Sequence, residues 1–437
     1  MKTLFSLPAV VVLFALLPTL CCAPRETAPQ AEPTSLANRA APASAAGDPP
    51  TRPADPALEP YRQELLQLAF RAASAFPLQP HRKNRSRSQE KVVTTCFELG
   101  QPRLAVALAR NIEGWRRGSA YADYANLCAK RGDAKSTSEY IALAEQVADE
   151  QADAADAQEW RSDLIRLKVA RAYASLGDRE RAAKAVAKLD AASSHAVDED
   201  WAQTAADHVR TLTREAVDAE LAAIDASFGQ MSLGQQQVAM TTLVGVHERF
   251  GDDETLCSAI EARFVETWVR LPPALRLEAL RKVAESDFRH GRQEAALRLL
   301  GQARELAVTH TWRAEDAVPQ LASLAAARCR IGERDQARAD LEAAVAVYHK
   351  QREQIVDIYR AGTVRSLALA YEDMGCASTA HDLCTLAIEE GMTNPNSRPR
   401  AEDLVETCAA MAVHGIEPSK DLWERLRHIC EGLGNPW

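Results

Sequence analysis

A helix–glycine–helix unit recurs along this chain and limits what it can fold into. The unit is clearest in residues 169–183, where an apolar helical stretch ends at Leu176-Gly177-Asp178 and a second helical stretch follows. The same arrangement returns later in the chain, and in weaker form elsewhere, around Gly100, Gly132, Gly251, Gly291, Gly332, Gly375 and Gly415. A single pair of helices cannot bury its apolar face alone, so consecutive pairs are expected to stack on one another.

The spacing of these glycines predicts the number of units. Successive gaps are 32, 45, 74, 40, 41, 43 and 40 residues, and the long gap predicts a degenerate unit at residues 201–227. This makes about nine helical pairs with a period of about 40 residues. Glycine allows the first helix to end in the left-handed conformation at little cost. A small residue five positions later lets the second helix pack closely, and it is alanine at Ala105, Ala182, Ala296, Ala337 and Ala380.

The pattern resembles the tetratricopeptide repeat, in which a large residue precedes the glycine by four positions and alanine follows it by five. Tyr173, Gly177 and Ala182 match best, together with the equivalent unit at Gly375, and the resemblance covers residues 85–437. The period is longer than the usual length of about 34 residues. Most units also lack the aromatic residue and the closing proline, and polar side chains take the aromatic position at His247, Asp287 and Arg328. HEAT-like helical repeats are the alternative.

The expected fold class is therefore all-α. The family resemblance implies a right-handed α-solenoid of about nine helix-turn-helix repeats over residues 61–437. Hydrophobic residues make up 46% of the chain and aromatic residues only 5%, which suits closely packed helices. The formal net charge is −9, and nucleic-acid binding is not expected because it requires a basic face. The one basic cluster, residues 81–87, is interpreted as a solvated cap before the first helix.

The first 60 residues predict export. Residues 1–23 have a lysine at position 2 and then an apolar run interrupted by proline, which is typical of a signal peptide. Residues 24–60 form an Ala/Pro-rich tether that is expected to be disordered. Cys21 and Cys22 are candidate lipidation sites, although the residues before each depart from the lipoprotein pattern. The expected location is extracytoplasmic, in the periplasm or cell envelope, with or without a membrane anchor.

No sequence motif for catalysis, for a cofactor or for a metal stands out. Eight cysteines follow the leader, and several occupy positions where other units carry apolar residues. They are interpreted as buried apolar side chains, with one or two disulfides among the C-terminal four as the alternative. His381 and Cys384 share a helix face but lack the ligand spacing of a zinc site. We therefore expect no enzyme activity, no cofactor and no metal.

The resemblance implies that the first helix of each pair lines a concave groove that binds a protein or peptide. Charged and polar residues at equivalent positions are the candidate contacts: Asn126, Lys130, Arg171, Arg281, Glu285, Arg330 and Arg365. Their alternative role is to solvate an exposed face. The leading hypothesis is an exported scaffold or adaptor for protein partners in the bacterial cell envelope. Alternatives are a self-associating structural spacer and, less favoured, an accessory to an envelope hydrolase.

Overall fold

A computed structural model describes residues 55–152, 158–187, 201–268 and 271–437. The predicted signal peptide, nearly all of the predicted tether, and Cys21 and Cys22 lie outside these residues. The helical unit extends from Ala57 to Trp437. It is all-α, because the described residues contain helices and turns but no strand.

Nineteen α-helices occur in the described part of the chain. They are α1 (Pro60–Ala75), α2 (Leu78–Glu98), α3 (Pro102–Ala109), α4 (Trp115–Lys130), α5 (Ala134–Ala152), α6 (Glu159–Ser175), α7 (Arg179–Val186), α8 (Trp201–Thr211), α9 (Arg214–Ser227), α10 (Leu233–Arg249), α11 (Glu254–Ala262), α12 (Pro273–Arg289), α13 (Gln293–Thr309), α14 (Ala314–Arg330), α15 (Arg334–Gln351), α16 (Asp357–Asp373), α17 (Ala377–Met392), α18 (Ser397–His414) and α19 (Lys420–Glu431).

After α1, the helices of the described residues form nine pairs, from α2 and α3 to α18 and α19. The predicted degenerate unit at residues 201–227 is confirmed as α8 and α9. The sequence-based interpretation of residues 81–87 as a cap before the first helix is wrong, because they lie inside α2 and α1 precedes them. Arg85 of this cluster donates to the carbonyl oxygen of Phe76 at 2.8 Å, and it thereby ties α2 to the end of α1.

Seven of the eight unit glycines have positive φ, as predicted, with φ between 68° at Gly100 and 93° at Gly332. Gly251 does not belong to this set, so the prediction of a left-handed helix end is wrong there. Its requirement for glycine is steric, because a Cβ at this position would overlap the ring of His290. Glycine is therefore required by the backbone conformation in seven units and by side-chain packing in the eighth.

The order of helix contacts follows the chain and then returns to its start. First helices of consecutive pairs pack on each other, as in α4 with α6, α10 with α12 and α14 with α16. At the end of the series α1 packs against α18, and it also contacts α2 and α19. One hydrophobic cluster accordingly contains Leu66 of α1 and Met411 of α18. The two ends of the helical unit are thus joined through a common core.

Most of the cysteines are buried, as the sequence predicts, and two tryptophans contact neighbouring residues of the fold. All eight cysteines after the leader are free thiols, and six of them are buried. Trp268 is buried and stacks on Phe228 with 3.8 Å between ring centroids. The indole of Trp312 donates to the carbonyl oxygen of Ala307 at 2.9 Å. His381 is used within the fold, since its Nε2 accepts a hydrogen bond from the backbone N–H of Ser419 at 3.1 Å.

Candidate functional site

Three of the predicted groove residues lie together in a ladder of ion pairs across neighbouring first helices. Arg330 of α14 lies 2.7 Å from Glu285 of α12 and 2.5 Å from Asp373 of α16, measured between nitrogen and oxygen atoms. Arg281 approaches Glu285 at 3.7 Å. These charges neutralise one another between repeats, so Arg281, Glu285 and Arg330 are poor candidates for pairing with an incoming ligand.

The upstream predicted residues form a second polar group on α4, α6 and α8. Arg171 pairs with Asp207 of α8 at 3.0 Å, and Asn126 accepts from the hydroxyl of Ser175 at 2.8 Å. Lys130 is exposed at the end of α4. Partial burial lowers the pKa of Lys130, and so do the neighbouring positive charges of Arg210 and Arg171. Arg171 and Asn126 thus link first helices to one another, as the ladder does.

Arg365, the remaining predicted residue, lies apart from both groups. It points from α16 toward α18, where its Nη1 donates to the hydroxyl of Thr407 at 3.2 Å. It lines a cleft of about 380 Å³ between the N-terminal ends of α14 and α16 and the side of α18. The cleft is lined by Arg313, Glu315, Asp316, Pro319, Ile358, Tyr359, Gly362, Thr363, Arg365 and Asp403.

The two arginines of this cleft differ electrostatically from those of the ladder. Within the described residues, neither Arg313 nor Arg365 has a carboxylate at ion-pair distance. The one hydrogen-bond acceptor seen for Arg365 is the neutral hydroxyl of Thr407. The cleft can therefore offer two guanidinium groups, each able to make bidentate hydrogen bonds to a carboxylate.

Asp403 lies on the α18 side of the cleft in an unusual environment. Its Oδ2 is buried and has no hydrogen-bond partner in the described part of the chain. This oxygen faces Gly391 of α17, where an added Cβ would lie 3.1 Å away. Burial raises the pKa of Asp403 to about 7, although the charge of Arg365 acts in the opposite direction. Near neutral pH the carboxyl is thus partly protonated, and it neutralises Arg365 only in part.

Exposed apolar side chains border the cleft. Val356, Ile358 and Tyr359 are 51%, 42% and 48% exposed and lie in or next to the first turn of α16. Large apolar residues that are exposed together, beside charged groups, are typical of binding surfaces. The combination of an aromatic ring with two arginines also matches the residue types that dominate interface energetics.

Only Arg365 among the cleft residues was expected from the repeat pattern. Arg313, Tyr359 and Asp403 were missed because they lie outside the positions that the resemblance implies for the groove. A signal was nevertheless present, since Val356, Ile358 and Tyr359 place three large apolar residues within four positions at a helix start. Their exposure depends on how α14, α16 and α18 pack, which the local pattern does not specify.

No protein-family model matches the chain, and no curated protein is significantly similar to it. Among the described helices, none combines the length and apolar character needed to cross a membrane.

Proposed function

We propose that this protein is a non-catalytic scaffold or adaptor, built as a tetratricopeptide-like α-solenoid, that binds a segment of a protein partner. Three observations support the repeat architecture: nine helical pairs among the described residues, contacts between successive first helices, and glycines with positive φ. In such an architecture each pair contacts its neighbours, and the exposed helix faces provide an extended binding surface.

The cleft around Arg365 is the proposed binding site. The observation that carries this proposal is the juxtaposition of Arg313 and Arg365 with the exposed ring of Tyr359. Neither arginine has an ion-pair partner in the described part of the chain, whereas Arg281 and Arg330 do. The ligand that fits is an extended peptide that carries an apolar anchor and an acidic residue, with the carboxylate on the arginines.

End-to-end self-association is the less favoured role. An open stack of repeats exposes an apolar face at each end, and such faces would support assembly into longer arrays. Here α1 and α18 pack on each other, and Leu65, Leu66 and Leu68 of α1 are at most 1% exposed. The face that would be needed for end-to-end stacking is therefore used within the chain.

Site-specific cross-linking tests the binding site in the full-length protein. A photoreactive amino acid replaces Tyr359 in one variant and Val308 of α13 in another, the latter as a control at a position that is 61% exposed. We expect cross-links to a defined partner segment from position 359 and none from position 308. Equal cross-linking from both positions, or none from either, would contradict the proposed site.

The affinity for the cross-linked segment then tests the role of charge. Arg365→Gln removes the guanidinium from the cleft, whereas Arg330→Gln removes one from the ion-pair ladder. We expect Arg365→Gln to weaken binding by about tenfold or more, in line with the loss of a charge-assisted hydrogen bond. Arg330→Gln should leave the affinity nearly unchanged. A larger loss of affinity in Arg330→Gln than in Arg365→Gln would indicate that the partner binds at the ion-pair ladder instead.

The location that we propose is extracytoplasmic, with Cys21 or Cys22 as the candidate site of lipid attachment. The support is the sequence of residues 1–60 alone. Metabolic labelling with a fatty acid, combined with cell fractionation, tests it. Label that is lost in Cys21→Ser or in Cys22→Ser would identify the anchored residue. Unlabelled protein in the soluble periplasmic fraction would instead indicate a cleaved leader.

A further inference from the structure

A buried polar cluster occupies the interior between α10, α11 and α12, and none of its residues lines the cleft around Arg365. His247 and Asp287 each lie four residues before the glycine of their unit, and both side chains are 0% exposed. His247 Nε2 lies 3.3 Å from Asp287 Oδ1 and 4.0 Å from Oε1 of Glu261, which α11 supplies. The three ligand-type atoms lie within 4.8 Å of one another.

Neighbouring side chains contact each of these three groups. Ser286 Oγ lies 2.8 Å from Nδ1 of His247, so the opposite nitrogen of the ring faces the carboxylates. Arg292 donates from Nε to Oδ1 of Asp287 at 2.8 Å, and its Nη2 lies 2.7 Å from the same oxygen. Arg298 donates to Oε2 of Glu261. This arrangement resembles the outer shell of a metal site, in which hydrogen bonds orient the ligands.

Two atoms of the cluster lack a hydrogen bond to any described residue. His247 Nε2 and Asp287 Oδ2 are both buried without a hydrogen-bond partner among the described residues. The 3.3 Å approach of Nε2 to Oδ1 of Asp287 therefore does not have hydrogen-bond geometry. Unpaired polar atoms in such a dry environment carry a large free-energy cost. A positively charged species among them would remove that cost.

Cys257 of α11 is a further candidate donor beside the group formed by His247, Glu261 and Asp287. Its thiol is 1% exposed and lies beside the ring of His247. The sulfur lies 3.3 Å from Nη2 of Arg292, which already contacts Asp287. Imidazole, carboxylate and thiolate together are the donor types that zinc prefers, and a site without solvent access is typical of structural zinc.

We infer that His247, Asp287, Glu261 and Cys257 bind a structural zinc-class divalent ion that joins two consecutive helical pairs. The ion would connect α10 and α11 to the first helix of the next pair, α12. Tetratricopeptide repeats carry an aromatic side chain at the positions of His247 and Asp287. Binding of the same ion would explain why both positions are polar in this chain.

A proton on His247 is the competing occupant. Burial by itself lowers the pKa of His247, but the neighbouring Asp287, Cys257 and Glu261 raise it to about 10 in the metal-free protein. Zinc bound with a Cys257 thiolate adds the same net charge to the cluster as a proton on His247 with a neutral Cys257 thiol. Net charge therefore does not favour either occupant over the other. Hydrogen bonding does, because a proton on Nε2 would still leave Oδ2 of Asp287 unpartnered.

Metal substitution in the full-length protein separates the two occupants. The protein is dialysed against a chelator, incubated with Zn²⁺ or Co²⁺, desalted and analysed for metal content, absorption and thermal unfolding. We expect about one equivalent of zinc, a higher Tm, and a thiolate-to-cobalt charge-transfer band. No retained zinc and no cobalt spectrum would overturn the metal site and leave the proton as occupant.

Matched variants assign the ligands. Cys257→Ser and Asp287→Asn are close in size to the native residues, and Cys329→Ser changes a second buried cysteine in another unit. We expect the charge-transfer band to disappear in Cys257→Ser and to persist in Cys329→Ser, and zinc affinity to fall by about tenfold or more in Asp287→Asn. A cobalt spectrum unaltered in Cys257→Ser and Asp287→Asn would overturn the assignment. If these variants do not fold, the cobalt spectrum and the zinc-dependent Tm shift of the wild-type protein still show whether the metal binds.

Discussion

Arg427 of α19 and Glu64 of α1 are 363 residues apart in the chain and lie 2.7 Å from each other in the structure. The pair marks the contact between the two ends of the helical unit. Phe76 and Trp437 meet at the same contact, with 5.2 Å between ring centroids. The polar pair is about half exposed, and such pairs contribute little to stability. The apolar core beneath it must therefore account for most of the stability of the contact.

Truncation of a buried leucine in α1 tests whether the apolar core contributes more to stability than the ion pair. Leu66 is 0% exposed within the core that α1 and α18 share. We expect Leu66→Ala to lower the free energy of unfolding by about 2–5 kcal/mol, because it leaves a cavity in that core. Glu64→Gln should lower it by less than about 1 kcal/mol. Urea denaturation measures the free energy of unfolding of both variants. Equal losses would show that the ion pair contributes as much to stability as the buried leucine.

Gly251 and Gly291 should respond differently to alanine. At Gly291, φ is 78° and a Cβ would meet open space, so Gly291→Ala should cost about 1–2 kcal/mol through backbone strain alone. At Gly251 a Cβ would overlap the ring of His290, which bonds the carbonyl oxygen of Glu248 at 3.0 Å.

A double-mutant cycle separates these two causes. Adding His290→Ala should recover part of the stability lost in Gly251→Ala, because it removes the overlapping ring. The same addition should recover nothing in Gly291→Ala. Strictly additive losses at Gly251 would mean that the His290 ring is not what the glycine accommodates.

Asp403→Asn should change the pH dependence of stability. The pKa of this carboxyl is about 7 in the folded protein, against an ordinary value of 3.8, chiefly because of burial. The folded state therefore holds the proton more tightly, and wild-type stability is lost as pH rises from about 4 to about 7. Asparagine imitates the neutral form. The variant should thus gain stability relative to wild type across this interval.

Denaturation midpoints at several pH values across that interval measure the effect. Asp316→Asn, which removes an exposed acidic charge from the same cleft, is the control for the loss of one negative charge. An Asp403→Asn difference that stays constant with pH would show that Asp403 is fully solvated in the folded protein.

Glu390 should be more important for stability than its exposed neighbour Glu353. Glu390 is 3% exposed and accepts hydrogen bonds from Tyr348 at 2.8 Å and from Arg352 Nε at 2.6 Å and Nη2 at 2.9 Å. Burial acts to raise the pKa of Glu390, but the bonds from Arg352 and Tyr348 lower it overall. The ionised form is thus the one that the fold stabilises.

Glu390→Gln should therefore destabilise the protein by about 1–3 kcal/mol, since it weakens the three hydrogen bonds that the ionised carboxylate accepts in a buried site. Glu353→Gln is the matched control, because Glu353 contacts the same arginine but is 81% exposed. Thermal unfolding of the two variants compares them directly. A control that loses as much stability as Glu390→Gln would assign the effect to Arg352 rather than to the buried carboxylate.

Most of the helical organisation could be predicted because it depends on local signals. The glycine that ends a helix and the alanine five positions later act within one pair. The long gap between Gly177 and Gly251 predicted the unit at residues 201–227. Helix α1 was missed because no such glycine follows it. The groove residues were harder to predict. Arg330 and Arg365 occupy related positions, yet among the described residues Arg330 has carboxylates of neighbouring helices at ion-pair distance and Arg365 has none.

The sequence by itself determined the all-α class, the succession of helical pairs and the interior use of most cysteines, since each follows from short-range spacing and side-chain polarity. Only the tertiary structure decided that α1 closes on α18, that Arg313 and Arg365 share a cleft, and that His247 meets Asp287 and Glu261. These contacts join residues from different helices. Whether they form depends on the angles and distances at which the pairs pack, and no local pattern encodes those quantities.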